Sequence, residues 1–171
     1  RPSIIFGPED AFFNRFAALA RISPVLPLIG GGRTRFQPIY VADVAAAIAA
    51  AVDGAGTPGA VYELGGPEVL TFRELMERTL SYAGRRAKLL SMPFWLAKLQ
   101  ALLTWPLPNS LRPLTVDQVR LLQTDNVVSD AAIKDGRTLA ALGIEPDAIG
   151  AVVPGYLERF RPKGQYSRYR G

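Results

Sequence analysis

Cysteine and histidine are both absent from the 171 residues. Their absence excludes disulfides, thiolate nucleophiles, zinc held by the usual Cys and His ligands, and any Ser-His-Asp triad. A chain without cysteine also suits a reducing compartment. No run reaches the ~18–20 uninterrupted apolar residues of a membrane-spanning helix. No signal peptide is read at the start, where Arg1-Pro2-Ser3-Ile4-Ile5-Phe6 looks like a strand entered partway. What is present is ordinary for a globular domain with a real core: 49% of residues are hydrophobic and 20% charged. The net charge is +5, and part of the excess is local, in Arg159, Arg161, Lys163, Arg168 and Arg170. With Tyr166 and Tyr169 interleaved, that end reads either as a basic contact for an anionic surface or as a solvated terminus.

Taken in order, Ser3 to Phe6 predicts a short β-strand closed by Gly7-Pro8. Asp10 can cap a helix from about Ala11 to Ile22, with Phe12, Phe13, Phe16, Leu19 and Ala20 on its apolar face. Pro24 and Pro27 predict an extended connection. Val61 to Leu64 reads as a strand stopped by Gly65-Gly66-Pro67. Thr71 and Glu74 form a capping box for a helix ending near Gly84. Lys88 to Ser91 suits a short strand. The segment Phe94 to Trp105, apolar but for Lys98, reads as a core helix or as a hydrophobic contact with a partner or membrane surface. Thr115 to Leu122 predicts a further helix, Thr138 to Leu142 a brief one, and Pro154 is expected in the first turn of a last helix. Strands alternate with helices early and helices dominate later, an α/β pattern followed by a mostly helical part.

Gly30 to Val52 concentrates the chemistry. Three glycines make a turn, Arg33 and Arg35 flank Thr34, and Phe36 to Val41 is extended, Pro38 keeping it out of a helix. Asp43 is expected to open a helix so rich in alanine that close packing on a sheet is the natural reading. Glycines, cations and a helix start together suit an anionic ligand; a hairpin turn feeding a core helix is the alternative.

Three segments in order carry a resemblance: R-P-S-I-I-F-G-P at 1–8, G-G-G-R-T-R-F-Q-P-I-Y-V-A-D-V-A at 30–45, and Y-E-L-G-G-P at 62–67. Together they resemble extended and atypical short-chain dehydrogenase/reductases of the NAD-dependent epimerase/dehydratase group. The resemblance is closest to the branch that holds the nucleotide-binding accessory subunit of respiratory complex I. It implies an α/β fold, the C-terminal part of a Rossmann-type doubly wound sheet plus a small, mostly helical substrate lobe. Residues 1–66 would hold trailing strands and helices of the Rossmann domain with lobe insertions, and 67–171 the helical lobe and basic tail.

In that family a G-x-x-G-x-x-G turn and a Tyr-x-x-x-Lys pair precede the Arg-Pro strand. Neither can be written in this sequence, so the resemblance places both upstream of Arg1, in a missing N-terminal Rossmann half. NAD or NADP is then expected in the parent protein, with none bound tightly by this chain alone, which would not be catalytically competent. The alternative is part of an active epimerase, dehydratase or reductase on a small or lipid-like substrate. The resemblance assigns Pro2, Ser3 and Ile4 to the cofactor edge, and Arg33, Arg35, Gln37 and Tyr40 to the substrate side. It also implies complex I subunits as partners, with peripheral membrane contact and no nucleic acid. The location would be the cytoplasm, the cytoplasmic face of an inner membrane, or the matrix side in a mitochondrion. One departure bears on substrate. Sugar-nucleotide epimerases place a diphosphate-clamping arginine seven residues before the motif aspartate, where this sequence has Phe36. Neighbouring side chains of an extended segment point to opposite faces, so Arg35 is not a simple replacement.

Overall fold

The computed structural model describes residues 1–103 and 116–162. Its strands are short and its connections are largely parallel. β1 (Ile5–Phe6) pairs in parallel with β4 (Ile39–Tyr40), in register Ile5 to Ile39. On the other side of the same segment, Pro2 bridges Leu64 in parallel, and the Ser3 N–H donates to the Leu64 carbonyl at 2.9 Å. The expected Val61–Leu64 strand is reduced to that bridge. β2 (Val25–Ile29) and β6 (Lys88–Met92) form a five-residue parallel pair. The stretch around Pro27 is therefore a strand and not a connection. Proline is tolerated there because a two-stranded pair leaves each strand an edge where no N–H is needed. β3 (Arg35–Phe36) runs antiparallel to β5 (Leu70–Thr71), and Phe36 also bridges Asn126 in parallel.

The helices follow the sequence pattern with shifted ends. α1 (Phe13–Ile22) starts two residues later than expected, but Asp10 does cap it: its carboxylate accepts from the Phe13 N–H at 2.6 Å and the Asn14 N–H at 3.4 Å. The same carboxylate accepts from the Tyr156 hydroxyl. Burial, then the hydrogen bond to Asp10 and its charge, push the Tyr156 pKa well above the ordinary phenol value. That tyrosine belongs to α7 (Ile149–Leu157), so one aspartate caps α1 and ties α7 to it. Pro154 sits inside α7, beyond its first turn, because the helix begins earlier than the proline suggested.

α2 (Val41–Val52) begins at Val41, with Tyr40 at the cap position. Asp43 is thus its third residue and not its cap. It is buried, and it accepts the Asp147 N–H at 2.9 Å, joining α2 to the approach to α7. The alanine-rich helix is also less covered than expected. Only Asp43 and Ala47 are buried, while Ile48 is 61% and Val52 82% exposed. Among the described residues nothing packs on that outer face, and apolar composition alone does not bury a helix.

α3 (Phe72–Tyr82) carries the predicted capping box: Thr71 Oγ1 accepts from the Glu74 N–H, and the Glu74 carboxylate accepts from the Thr71 N–H at 2.7 Å. α4 (Phe94–Leu103) packs Phe94 and Ala97 on the main core and exposes Trp95 and Leu102, so the segment is part core and part surface; Trp105 lies outside the described residues. α5 (Val116–Leu121) confirms the Thr115–Leu122 helix, and α6 (Asp130–Lys134) was not read from the sequence. Thr138 to Leu142 yields a single 3-10 turn, Ala140–Leu142. Lys163, Tyr166, Arg168, Tyr169 and Arg170 lie outside the described residues. The main core joins Phe6, Phe13, Leu26, Leu28, Phe72, Leu75 and Met76 to Ile149 and Leu157, and a smaller cluster gathers Ile39, Ala47, Leu64 and Leu139.

Two glycines set opposite expectations. A Cβ on Gly66 would lie 1.9 Å from the Pro38 carbonyl oxygen, backbone that cannot swing aside, whereas one on Gly155 in α7 meets nothing within 4 Å. Gly66→Ala should lower the midpoint of thermal unfolding sharply, and Gly155→Ala should raise stability by roughly 0.5–1 kcal/mol through helix propensity. Thr71→Ala should cost about 1 kcal/mol at neutral pH by removing the cap. The Thr71 N–H, then its hydroxyl, hold the Glu74 carboxyl below the usual carboxylate range. A depressed folded pKa contributes stability above the unfolded value of about 4.3 and loses it as pH falls through the folded value. Glu74→Gln should therefore be less stable than the parent at pH 7 and converge with it below about pH 3, as read by urea unfolding across that range.

Candidate functional site

The first turn of α1 and the residues before it build one wall of a cavity of about 200 Å³. Ala11 and Phe12 precede the helix, and Arg15 and Phe16 lie in its first turn. Phe36 of β3 and Phe72 at the start of α3 close the floor, and Ile4, Leu121, Leu122 and Asn126 complete the lining. The rings hold one another edge-on: Phe12 to Phe16 at 5.0 Å, Phe12 to Phe72 at 6.0 Å and Phe16 to Phe72 at 5.9 Å between centroids. Such pairs fix ring orientation beyond simple area burial.

Among the described residues of the lining, Arg15 has the only titratable side chain, and its partial burial lowers the guanidinium pKa from the ordinary value. An arginine stays charged even so. Its described lining is mostly apolar, with Arg15 and Asn126 as the polar side chains and no carboxylate, tyrosine or lysine among them.

The residues singled out from the sequence fall in different places. Ile4 lines the cavity. Pro2 and Ser3 border a separate polar cleft with Glu63 and Asp125. The buried Ser3 hydroxyl donates to the Asn126 carbonyl at 2.7 Å and accepts the Gln37 N–H at 3.1 Å. Gln37 spends both ends of its amide on backbone, donating to the Gly66 carbonyl at 2.8 Å and accepting from the Val128 N–H at 3.0 Å. Tyr40 packs its ring on Phe6, 5.6 Å between centroids. Arg33 is exposed. Arg35 meets Asp125 twice, through its own N–H and through Nε, each at 2.8 Å. The Arg35 N–H, then its side chain, hold the Asp125 carboxyl below the usual range.

The one-residue alternation expected along this segment is what the backbone shows. Phe36 is buried against the cavity and Arg35 is exposed beside Asp125. Phe12, Phe16 and Phe72 were legible only as an apolar face. Arg15 carried no signal in the sequence.

No family model matches the chain. Among curated proteins it is similar to NADH dehydrogenase (ubiquinone) 1 alpha subcomplex subunit 9, mitochondrial, of Arabidopsis thaliana, at 41% identity over 143 residues, 78% of this chain and 35% of the relative. The same subunit of Mus musculus is 31% identical over 152 residues, 85% of this chain and 37% of the relative. The NADH-ubiquinone oxidoreductase 40 kDa subunit, mitochondrial, of Neurospora crassa is 26% identical over 171 residues, 97% of this chain and 42% of the relative. The chain thus spans only 35% to 42% of the length of these three proteins.

Among solved structures it resembles the UDP-glucose 4-epimerase of Thermus thermophilus, in complex with NAD. That match has a TM-score of 0.57 at 21% identity and covers 95% of this chain and 45% of the other. The dTDP-glucose 4,6-dehydratase DesIV of Streptomyces venezuelae gives a TM-score of 0.57 at 19% identity, over 100% of this chain and 44% of the other. At such identities the likeness concerns the fold. The chain is therefore homologous to the C-terminal part of these mitochondrial complex I subunits, with the fold of the corresponding part of Rossmann-type short-chain dehydrogenase/reductases.

Proposed function

We propose that this chain supplies the ligand- and partner-binding part of a dinucleotide-binding accessory protein of respiratory complex I. The observation that carries the reading is the 41% identity to a complex I subunit over 78% of the chain. The fold adds support, since the similar epimerase and dehydratase structures contain NAD, and a Rossmann protein holds its dinucleotide chiefly at the first strand-to-helix turn. On this reading the dinucleotide is NAD or NADP, held by a part of the protein outside this chain. Residues 1–66 carry the edge that meets it, and residues from 67 onward carry most of the helical lobe. Pro2, Ser3 and Ile4 form that edge. Arg33, Arg35, Gln37 and Tyr40 frame the ligand side, with Gln37 and Tyr40 acting as supports for the backbone and the core.

Association with complex I also accounts for the apolar surface of α4, where Trp95 is 67% and Leu102 63% exposed. Aromatic and aliphatic side chains exposed together mark protein or membrane contacts. No helix among the described residues is long and apolar enough to cross a membrane, so this contact would be peripheral.

An affinity-tagged full-length protein expressed in its own host should co-migrate with assembled complex I on a native gel. Trp95→Ser with Leu102→Ser should reduce that co-migration while leaving thermal unfolding within a few degrees of the parent. Migration of the tagged protein only as a free species would refute the accessory role. Calorimetry of this chain alone should show no micromolar heat of binding for NADH or NADPH, and such binding would show that the dinucleotide site lies within it.

A further inference from the structure

Two helices present apolar surface, and their chemistries differ. α4 exposes Trp95 and Lys98, the residue types of a surface contact. α2 has no aromatic residue, no lysine and no arginine. Its one charged residue, Asp43, is buried and accepts the Asp147 N–H. On the side away from Asp43 and Ala47, the residues Val41, Ala45, Ile48 and Val52 follow one another at helical spacing and are all exposed. A helix that is apolar all round belongs inside a protein. We infer that this outer stripe is the docking surface for the Rossmann sheet carried by the part of the full-length protein outside these 171 residues.

Twelve helical residues span about 18 Å, whereas the paired strands beside the start of α2, β1 and β4, have two residues each, about 7 Å. The inner face of α2 rests only on the small cluster of Ile39, Leu64 and Leu139, apart from the main core. The described strands near α2 are thus too short to cover it along its length, and parallel sheets of this class carry helices packed on both faces. The uncovered surface continues past Val41. A trough of about 520 Å³ lies between that residue and Ile5, Phe6, Gly7 and Pro8, at the C-terminal end of β1, and Ile5 is exposed as well. The exposed alanines of α2 give the stripe low relief, which lets a flat layer approach closely. A bilayer is a poor occupant, because interfacial helices carry lysine and arginine beside their apolar face. The matched parts of the similar epimerase and dehydratase make up 45% and 44% of those chains, so more of a protein of that fold lies outside the matched part than within it. This inference rests on the reading of the chain as part of a longer dinucleotide-binding protein, and not on its joining complex I.

Photo-crosslinking in the purified full-length protein, free of complex I, tests this surface. The crosslinker p-benzoylphenylalanine, placed at Val52 or at Ala49, should react within one molecule, and mass spectrometry should map its partners outside these 171 residues. Crosslinks to a second copy, crosslinks only to residues within the 171, or no crosslink from either position would overturn the inference. Ile48→Glu should lower the midpoint of thermal unfolding of the full-length protein by about 5 °C or more, because a charge would be buried without a partner. Ile133→Glu makes the comparison, since Ile48 and Ile133 are each 61% exposed but Ile133 has Asp130 and Arg137 one turn away. It should move the midpoint by less than about 2 °C, and equally small shifts for both variants would also overturn the inference. Should Ile48→Glu yield no folded protein, the crosslinks from Val52 and Ala49 decide. Titration of the same full-length protein with NADH and NADPH reads the underlying assignment separately. Dinucleotide binding without the expected crosslinks refutes the docking surface alone, and the expected crosslinks without dinucleotide binding support that surface and refute the dinucleotide reading.

Discussion

Gln37 joins four stretches of chain that are far apart in sequence. Its N–H reaches the Asn126 carbonyl and the Ser3 hydroxyl, its carbonyl takes the Gly66 N–H, and its side-chain amide spans Gly66 and Val128. A partly buried amide is costly unless it finds partners. Here they come from the Ser3 hydroxyl ahead of β1, from the backbone after Leu64 and from the segment leading to α6. That arrangement sets where Phe36 and Ile4 sit, and so where the cavity floor lies. The requirement for glycine at 66 follows from the same contact, because Pro38 approaches its Cα too closely for a Cβ.

The second constraint is Asp10. One carboxylate satisfies the first free N–H groups of α1 and also anchors Tyr156 of α7. Uncapped N–H groups at a helix start need a partner, and a carboxylate there also opposes the helix dipole. The residues that face the cavity, Ala11, Phe12, Arg15 and Phe16, lie in and just before that first turn. Their position is set by that cap and that tyrosine together with the ring contacts of Phe12 and Phe16.

Much of the fold was legible. The capping box at Thr71 and Glu74, the helix around Phe16, the strand at Ile5 and Phe6 and the β6 segment all followed from local rules of propensity, capping and turn chemistry. The misread positions share a cause. Pro27 sits in a strand because that strand is an edge, Asp43 is buried rather than capping because Asp147 comes to it across 104 residues, and α2 is exposed because nothing among the described residues covers its outer face. In each case the deciding partner is remote in sequence, and local pattern carries no information about it.

The candidate site divides in the same way. Alternation along the extended segment already said that Arg35 and Phe36 face opposite sides, since successive side chains of a strand must. The sequence by itself therefore determined that a phenylalanine, and not an arginine, would face whatever lies on that side. It determined the family resemblance as well, through the order of three short segments. Only the tertiary structure decided that Phe12, Phe16 and Phe72 meet Phe36 around an open space, that Arg15 is the cation at its wall, and that Gln37 is spent on backbone. Those outcomes depend on long-range closure, in which hydrogen bonds and ring contacts between distant segments select one arrangement from many that the local chain permits.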